Sequence, residues 1–261
     1  MTPVDDLDEL LRLATELAVA GGDRAATGRR TGLGVSTKST ITDLVTVHDR
    51  AAEDVIVAGI TAARPDDAIV GEEGTDRPGT SGRSWYLDPI DGTTNFVYDI
   101  PTWATSVAVG DTDGMLAGAV YVPAMGELFA AARGQGATLG GVPIRCSATT
   151  DLALALVATG FGYTPERRVR QAAIVAELVG VIRDVRRLGA ASLDLCYVAA
   201  GRFDAYFEEH LNIWDMAAGE LIAREAGCRT GDYGGGAPTP AQLVAATPEL
   251  YGPLTAHLPT A

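Results

Sequence analysis

Short apolar runs between residues 68 and 134 commit this chain to a fold that contains a multi-stranded sheet. Gly, Pro or Asp separates the runs, and each run is too short for a typical helix, which is the pattern of β-strands. We expect these runs to form a meander of antiparallel strands that continues to about residue 145. The predicted strands are "AIVG" (68–71), "WYL" (85–87), "ATSVAVG" (104–110), "MLAGAVYV" (115–122) and "ELFAAARG" (127–134).

A different rhythm begins near residue 150, where apolar runs alternate with helical patterns. Such alternation is typical of an α/β lobe. We therefore divide the 261 residues into an N-terminal α+β lobe (1–145) and a C-terminal α/β lobe (146–261). The main elements predicted for the second lobe are the strand "LALALVATG" (152–160), a helix over 164–182, the helix "AASLDLCYVAAG" (190–201), the strand "DAYFE" (204–208) and the helix "WDMAAGELIAREAG" (214–227).

Helices precede the first strand. Leucine and alanine recur at helical spacing from Leu7 onwards, which predicts an amphipathic helix that ends near Gly21–Gly22 or a few residues later. A second helix is predicted around residues 52–60 and stops before Pro65. Between them, residues 29–43 are rich in Gly, Ser and Thr and indicate an exposed loop.

The charge balance excludes several kinds of partner. Thirty-four acidic residues against twenty Lys and Arg give a net charge of −14, which repels nucleic acid and anionic membranes. The same field repels a phosphorylated substrate unless bound cations reverse it locally. No apolar run reaches the length of about 18 residues that a membrane span needs. We therefore expect neither a nucleic acid nor a membrane as a direct partner.

The cysteines and the N-terminal residues both indicate a cytoplasmic location. Cys146, Cys196 and Cys228 are odd in number, far apart in sequence and form no CxxC pair, which argues against a disulfide framework and a zinc finger. The N-terminal segment is acidic and amphipathic, unlike a secretory signal peptide.

Two acids stand together in "SWYLDPIDGTTNF" (84–96). Pro89 favours an extended Asp88 and a turn after it, so the strand is predicted to end at Asp88. Asp88 and Asp91 then converge at the end of a strand, with the Ile90 carbonyl as a further oxygen ligand and the following "GTTN" as a phosphate-binding start of a helix. The alternative is that Asp91 only caps this helix.

Two further acids support a metal site. Glu72 follows an apolar strand in "VGEEG", and Asp215 stands at the start of a helix in "IWDMAAG". Each has a simpler interpretation, since Glu72 could be a solvated loop acid and Asp215 the N-cap of its helix. An all-oxygen set of carboxylates suits Mg²⁺ or Mn²⁺ and does not suit zinc.

Taken together, "GEE", "DPIDGTTNF" and "WDMAAGELIAREAG" resemble, in order and spacing, the inositol monophosphatase family of metal-dependent, lithium-sensitive phosphomonoesterases, in its bacterial form. The segments "KSTITDLVTVHD" (38–49) and "RRLGAASLDLCYVAAGRFDAYFE" (186–208) are also similar to that family, so the match runs from about residue 5 to about residue 255. The resemblance implies a five-layered αβαβα sandwich.

The resemblance also implies the roles of individual residues. Two or three Mg²⁺ ions would be held by Glu72, Asp88, the Ile90 carbonyl, Asp91 and Asp215. Thr93 would orient the attacking water and Asp49 would hydrogen-bond to Thr93, with Glu72 as a third catalytic group, while the role of the loop residue Lys38 stays open. The residues implied to contact the substrate are Asp91, Gly92, Thr93, Gly189, Ala190, Ala191, Glu208 and Asp215.

The implied activity is Mg²⁺-dependent hydrolysis of a small phosphomonoester, with inositol 1-phosphate as the first expectation and a homodimer as the assembly. Glu208 favours a polyol. Ala190 and Asn212 stand where animal members have threonine and histidine, which leaves the alcohol open. Related branches hydrolyse histidinol phosphate, fructose 1,6-bisphosphate or 3′-phosphoadenosine nucleotides; "DGTTNF" favours the inositol branch. A regulatory partnership with the transcription machinery is the alternative from another class.

Overall fold

The computed structural model describes residues 3–38 and 44–259. The helices of the described part are α1 (Pro3–Arg29), α2 (Val47–Ala63), α3 (Thr93–Tyr98), α4 (Pro165–Leu178), α5 (Ala191–Ala199), α6 (Ile213–Glu225) and α7 (Pro248–Thr255). The strands are β1 (Ser36–Thr37), β2 (Leu44–Val45), β3 (Ala68–Gly71), β4 (Asp76–Arg77), β5 (Ser84–Asp91), β6 (Ala104–Asp111), β7 (Gly114–Val122), β8 (Glu127–Ala132), β9 (Gly136–Leu139), β10 (Val142–Ile144), β11 (Leu156–Thr159), β12 (Asp184–Arg186), β13 (Ala205–Glu209), β14 (Arg229–Gly231) and β15 (Gln242–Ala246).

Two large sheets form the framework. The first has eight strands in the order β10-β9-β8-β7-β6-β5-β3-β4. The strands from β5 to β10 pair antiparallel with one another, which confirms the predicted meander for this part of the sheet. Strand β3 runs parallel to β5, so the prediction of an antiparallel meander is wrong for that pair. The second has five strands in the order β12-β11-β13-β15-β14, with β11 parallel to both of its neighbours. The first sheet ends at Ile144 and the second begins at Leu156; the division into lobes at residue 145 stays a prediction.

Three of the four apolar clusters of the described residues lie between layers of helices and sheets, and five layers result. One lies between the helix pair α1–α2 and the outer face of the eight-stranded sheet, and includes Leu10, Ile56 and Trp85. The largest lies between the two sheets, where α5 and α6 pack against both. The third covers the other face of the five-stranded sheet with α4 and α7, through Ile174 and Leu250. This order of helices and sheets confirms the αβαβα sandwich.

Helix α1 runs through both glycines that were predicted to end it and stops only at Arg29. The reason is close packing, because a Cβ atom at Gly21 would lie 2.7 Å from the Ile56 side chain. A Cβ atom at Gly22 would lie equally close, 2.7 Å, to the ring of Tyr121. Each glycine therefore lets α1 approach its neighbours. The helix was predicted to end near Gly21–Gly22 or a few residues later, and it ends at Arg29.

The strand with the paired acids also continues past its predicted end. Strand β5 extends to Asp91, so the prediction that it stops at Asp88 is wrong. Its pairing with β6 shifts register between Asp88 and Asp91, and Pro89 lies inside this irregularity. A bulge is a place where a strand tolerates proline, since the missing N–H breaks no ladder hydrogen bond there.

Smaller differences concern the loops and the start of the second sheet. The predicted strand over 152–160 begins with a 3₁₀ turn (Leu152–Leu154) and becomes extended only at Leu156. The predicted loop over 29–43 forms the short strand β1, which pairs with β2, while its residues 39–43 lie outside the described part. Among the described residues, no helix combines the length and apolar character needed to cross a membrane.

Candidate active site

A cavity of about 450 Å³ brings together acids that lie far apart in the sequence. Glu72, just after β3, and Asp88 and Asp91, both on β5, line one part of it. Asp215, in the first turn of α6, is the fourth acid, and Ile90 lines the cavity with it. We call the four acids, with the carbonyl of Ile90, the carboxylate cluster. All five were singled out from the sequence, and the structure places them around one space.

Asp88 and Asp91 face the cavity because β5 is bulged between them. Both are nearly buried, with exposed fractions of 2% and 7%. One oxygen of Asp88 accepts the Ile90 N–H at 3.1 Å, which tightens the chain around the bulge. The Thr105 hydroxyl donates to the Pro89 carbonyl at 2.7 Å from the neighbouring strand. The irregular pairing is thus stabilised by its own hydrogen bonds.

Asp91 connects the cluster to α5. Its carboxylate accepts the N–H of Ala191 at 3.2 Å, and the N–H and hydroxyl of Ser192 at 2.7 and 2.5 Å. It therefore caps a helix 100 positions later in the chain, which is electrostatically favourable at a helix N-terminus. The alternative that Asp91 caps the next helix is wrong, because Gly92, with φ of 88°, is the N-cap of α3.

Asp215 is not the N-cap of α6, which was its simpler interpretation. The N-cap of α6 is Asn212, and Asp215 occupies the third helical position of a capping box. An Asp215 oxygen accepts the Asn212 N–H at 2.6 Å and its side-chain amide at 3.2 Å. The N-cap interpretation of Asp215 is therefore wrong, and the reciprocal bonds fix the carboxylate at the edge of the cavity.

The carboxylate cluster is electrostatically strained. Burial and then repulsion from Glu72, Asp91 and Asp215 raise the pKa of Asp88 well above its ordinary value. Burial and repulsion from Glu72 do the same for the pKa of Asp215. Burial raises the pKa of Asp91 to about 6, although its bonds from Ser192 oppose the rise. Nearby positive charge would stabilise the ionised cluster.

Lys38 is the cation of the described residues that contacts this cluster. Its ammonium lies 2.9 Å from Glu72 and 2.5 Å from Glu73. Burial lowers the pKa of Lys38, but the two carboxylates outweigh burial and raise it overall. One lysine contributes a single positive charge against four acids of the cluster, so most of the negative charge stays uncompensated.

The donors of this cluster fit a hard divalent cation. Carboxylates and a carbonyl are the ligands that Mg²⁺ and Mn²⁺ prefer. In residues 3–38 and 44–259, no three His, Cys, Asp or Glu side chains already form a closed ligand group. Lys38 pairs with Glu72, and backbone N–H groups bind Asp91 and Asp215, so these three acids already have partners in the protein.

Thr93 and Asp49 form a second pair beside the cluster. The Thr93 hydroxyl lies 3.3 Å from Asp49 Oδ1 and 3.0 Å from the Ile90 carbonyl. The other Asp49 oxygen accepts the Thr46 N–H and hydroxyl at 2.8 and 2.6 Å in the capping box of α2. Burial raises the pKa of Asp49, while its bonds from Thr46 oppose the rise. Asp49 Oδ1 and the Ile90 carbonyl thereby fix the direction of the Thr93 hydroxyl.

Glu208 marks the other side of the cavity. It projects from β13, and the hydroxyl of the buried Tyr206 donates to its Oε2 at 2.6 Å. A Cβ atom at Gly160 would lie 1.9 Å from the same oxygen, so only glycine leaves room for this carboxylate. Burial raises the pKa of Glu208 to about 7, against the opposing bond from Tyr206.

Comparison with known proteins identifies the family. The model of the inositol monophosphatase family matches residues 6–260. The chain belongs to the inositol monophosphatase family. It is accordingly a phosphoric monoester hydrolase, which confirms the enzyme class predicted from the motifs.

Individual relatives support this membership of the inositol monophosphatase family. The inositol-1-monophosphatase of Mycobacterium leprae is 45% identical over 99% of this chain and 96% of its own length. The Nus factor SuhB of Pasteurella multocida is 41% identical over 94% of this chain and 93% of its own. The crystal structure of the extragenic suppressor protein suhB from Bartonella henselae superposes with a TM-score of 0.90 at 34% identity, over 97% of this chain and 99% of that one.

The remaining positions named from the family lie around the same cavity. Gly92, Gly189, Ala190 and Ala191 line it together with Asn212. A Cβ atom at Gly92 would lie 3.1 Å from the Gly189 carbonyl, so the phosphate-side turn and the substrate-side loop approach at van der Waals distance. Both departures from the animal members, Ala190 and Asn212, therefore stand at the cavity.

Several residues of this inositol monophosphatase family site were missed in the sequence. Ser192 holds Asp91, and Tyr206 holds Glu208. Arg167 and Arg187 line the cavity and add positive charge to it. A serine at the start of a predicted helix is a capping signal, so Ser192 could have been found; nothing in the local sequence marks the two arginines.

Proposed function

We propose that this chain hydrolyses a small phosphorylated polyol, with inositol 1-phosphate as the substrate, and that Mg²⁺ is its cofactor. The observation that carries the proposal is one cavity with the carboxylate cluster on one side and Glu208 on the other. The first side suits a divalent cation and a phosphate, and the second suits hydroxyl groups.

The metal-side residues are proposed to be Glu72, Asp88, Asp91, Asp215 and the carbonyl of Ile90. Bound Mg²⁺ would supply Lewis acidity and neutralise charge on the phosphoryl group; Mn²⁺ has the same ligand preference. The protein's own contribution is to fix these oxygens on the bulged strand β5, in the turn after β3 and in the first turn of α6. Their rigidity reduces the reorganisation needed when an anionic substrate arrives.

The water-side residues are proposed to be Thr93, Asp49 and Glu72. The Thr93 hydroxyl donates towards Asp49, so its lone pairs are left to orient a water beside the phosphate. The N–H groups of Gly92 and Thr93 stand at the start of α3 and are proposed to bind phosphate oxygens. Hydrolysis forms a bond from the water oxygen to phosphorus and breaks the ester P–O bond. The leaving oxygen takes up a proton that derives from the water, so the products are a neutral alcohol and inorganic phosphate.

The alcohol-side residues are proposed to be Gly189, Ala190, Ala191 and Glu208. A carboxylate that is already held by Tyr206 can accept further hydrogen bonds from ring hydroxyls. Arg167 and Arg187 line the cavity and suit the anionic character of a phosphomonoester. The absence of a bulky side chain at Ala190 leaves room for a ring.

Phosphate release from inositol 1-phosphate, with and without Mg²⁺, tests the proposal directly. We expect turnover with Mg²⁺ and none after chelation. Histidinol phosphate, fructose 1,6-bisphosphate and a 3′-phosphoadenosine nucleotide are the competing substrates from related branches. A higher kcat/KM for any of them than for inositol 1-phosphate would contradict the proposed substrate while leaving phosphomonoester hydrolysis intact.

Thr93→Val should lower kcat by about 10²-fold, because it removes the hydroxyl that orients the water and keeps the shape of the side chain. KM and the Mg²⁺ affinity measured by calorimetry should change little. Thr93→Ser, which keeps the hydroxyl, is the matched control and should retain most of the rate. Equal losses in both variants would show that packing, and not the hydroxyl, matters at this position.

Glu208→Gln should raise KM for inositol 1-phosphate by about 10-fold with little change in kcat, since it weakens hydrogen bonds to the ring hydroxyls. Because the pKa of Glu208 is raised to about 7, 1/KM of the wild type should increase as the pH rises through neutrality, and the variant should lose this increase. A phosphomonoester without hydroxyls, such as phenyl phosphate, is the control and should show neither effect.

A second candidate function follows from the name of the Pasteurella multocida relative, a Nus factor. Association with the transcription machinery is compatible with hydrolysis, because it would use the outer surface of the protein. Retention of RNA polymerase by the immobilised chain, compared with an unrelated protein of similar negative charge, tests this candidate. The homodimer implied by the family resemblance and the cytoplasmic location indicated by the cysteines and the N-terminal residues remain predictions.

A further inference from the structure

Two of the three cysteines, which are far apart in sequence, lie side by side in the fold. Cys146 follows β10, and its N–H donates to the Ala226 carbonyl at 3.1 Å. A Cβ atom at Gly227 would lie 3.9 Å from the Cys146 sulfur, and Cys228 is the next residue. Cys228 belongs to the apolar cluster between the sheets, and Cys146 packs against that cluster. The backbone contact thus brings the two thiols together.

The two thiols interact and differ in access to solvent. Cys146 is half-buried, whereas Cys228 is 7% exposed. A hydrogen bond from the Cys228 side chain lowers the pKa of Cys146 to about 7, although burial raises it. The charge of Glu249 also raises this pKa, and the charge of Arg145 lowers it. The same contact and burial raise the pKa of Cys228. An accessible thiolate next to a second thiol is the arrangement of reversible redox sites.

We propose that Cys146 and Cys228 form a reversible intramolecular disulfide when hydrogen peroxide reaches the protein. The Cys146 thiolate attacks one peroxide oxygen, the O–O bond breaks, and a sulfenic acid and hydroxide form. The Cys228 thiol then attacks the sulfenic sulfur, the S–O bond breaks, and the disulfide forms with release of water. The two thiols lose two electrons and two protons in total, and the peroxide is reduced to two waters.

The disulfide would be a covalent cross-link at the C-terminal end of α6, which is the end remote from the carboxylate cluster. It joins the segment between the two sheets to the chain just after α6, across 82 sequence positions. Cross-links across long segments restrict the unfolded chain and so stabilise the fold. About 15 Å of helix separates Asp215 from Glu225, so we expect the metal side of the cavity to keep its geometry.

Cys196 provides an internal control. It is completely buried on α5, and burial raises the pKa of its thiol well above the ordinary value. A thiol of this kind is inert towards peroxide in the folded protein. Selective oxidation of Cys146 and Cys228 would therefore be distinguishable from general oxidation of all three cysteines.

The test is treatment of the intact folded chain with a small excess of hydrogen peroxide, followed by alkylation of free thiols and peptide mass spectrometry. In the wild type and in Cys196→Ser we expect a cross-link between residues 146 and 228 and a melting temperature higher by about 5 °C. Alkylation should then label Cys196 in the wild type and no thiol in Cys196→Ser. Dithiothreitol should reverse both changes. Phosphate release should be unaltered by the cross-link, so the result does not depend on the proposed substrate.

Cys228→Ser and Cys228→Ala should stop the reaction at the Cys146 sulfenic acid, which dimedone traps, and Cys146→Ser should stop it altogether. Two variants at position 228 guard against poor folding of either one. Oxidation of Cys146 to sulfinic acid or to disulfides between two chains, with Cys228 still free in the wild type, would overturn the proposal. So would modification of Cys196 as fast as that of Cys146.

Discussion

Asp88→Asn is expected to lower kcat for phosphate release by a factor on the order of 10²–10³ and, at the same time, to stabilise the metal-free protein. The loss of activity follows from removing a charged ligand from the proposed metal side. The gain in stability follows because Asp88 is buried next to Glu72, Asp91 and Asp215, which repel it and raise its pKa. An amide of the same shape relieves this repulsion, so the melting temperature without metal should rise by a few degrees.

The two effects have to appear together. Asp113→Asn, at an exposed turn between β6 and β7, changes the net charge equally and should alter neither activity nor melting temperature. Calorimetric titration with Mg²⁺ should show weaker binding to Asp88→Asn and normal binding to Asp113→Asn. Full activity of Asp88→Asn would contradict the metal side of the cavity. A lower metal-free melting temperature would contradict the repulsion among its acids.

The acids at this cavity could be identified from the sequence because their motifs are local and specific, whereas their geometry depends on distant residues. "DPIDG" predicts two acids near a strand end, but Asp91 stays in the strand because β6 pairs with it across a bulge. Likewise the local alternative for Asp91 was a cap of the helix that follows it, whereas Asp91 binds Ser192 on a helix 101 positions later. Local capping rules cannot anticipate a donor that tertiary packing delivers.

Glycines account for the difference at the predicted end of α1 and for the missed role of Gly160 beside Glu208. Gly21 and Gly22 are strong helix-ending signals by propensity, yet α1 needs them for contact with Ile56 and Tyr121. Gly160 gives no signal in the sequence, but it alone leaves space for the Glu208 carboxylate. In each case the reason for glycine lies in a partner from another element, and the sequence does not show that partner.

The carboxylate cluster and Glu208 should make metal-free stability depend on pH in the opposite direction to most proteins. A carboxyl group whose pKa is higher in the folded state binds more protons there, so stability falls as the pH rises between its unfolded and folded pKa values. For Asp91 this window runs from 3.8 to about 6, and for Glu208 from 4.5 to about 7. Each group contributes a loss of up to about 1.4 kcal/mol per pH unit within its window.

Mg²⁺ should reverse this dependence. The ion binds the ionised carboxylates, so its affinity and its stabilisation of the fold increase as the pH rises. Calorimetric melting temperatures between about pH 5 and about pH 8 should therefore fall with pH in the presence of a chelator and rise with Mg²⁺ in excess. Asp88→Asn should flatten both curves, because it lowers the repulsion on Asp91 and Asp215 and removes a metal ligand. A metal-free melting temperature that rises across the same range would show that these acids ionise freely in the folded protein, and that a cation is not needed to hold them together.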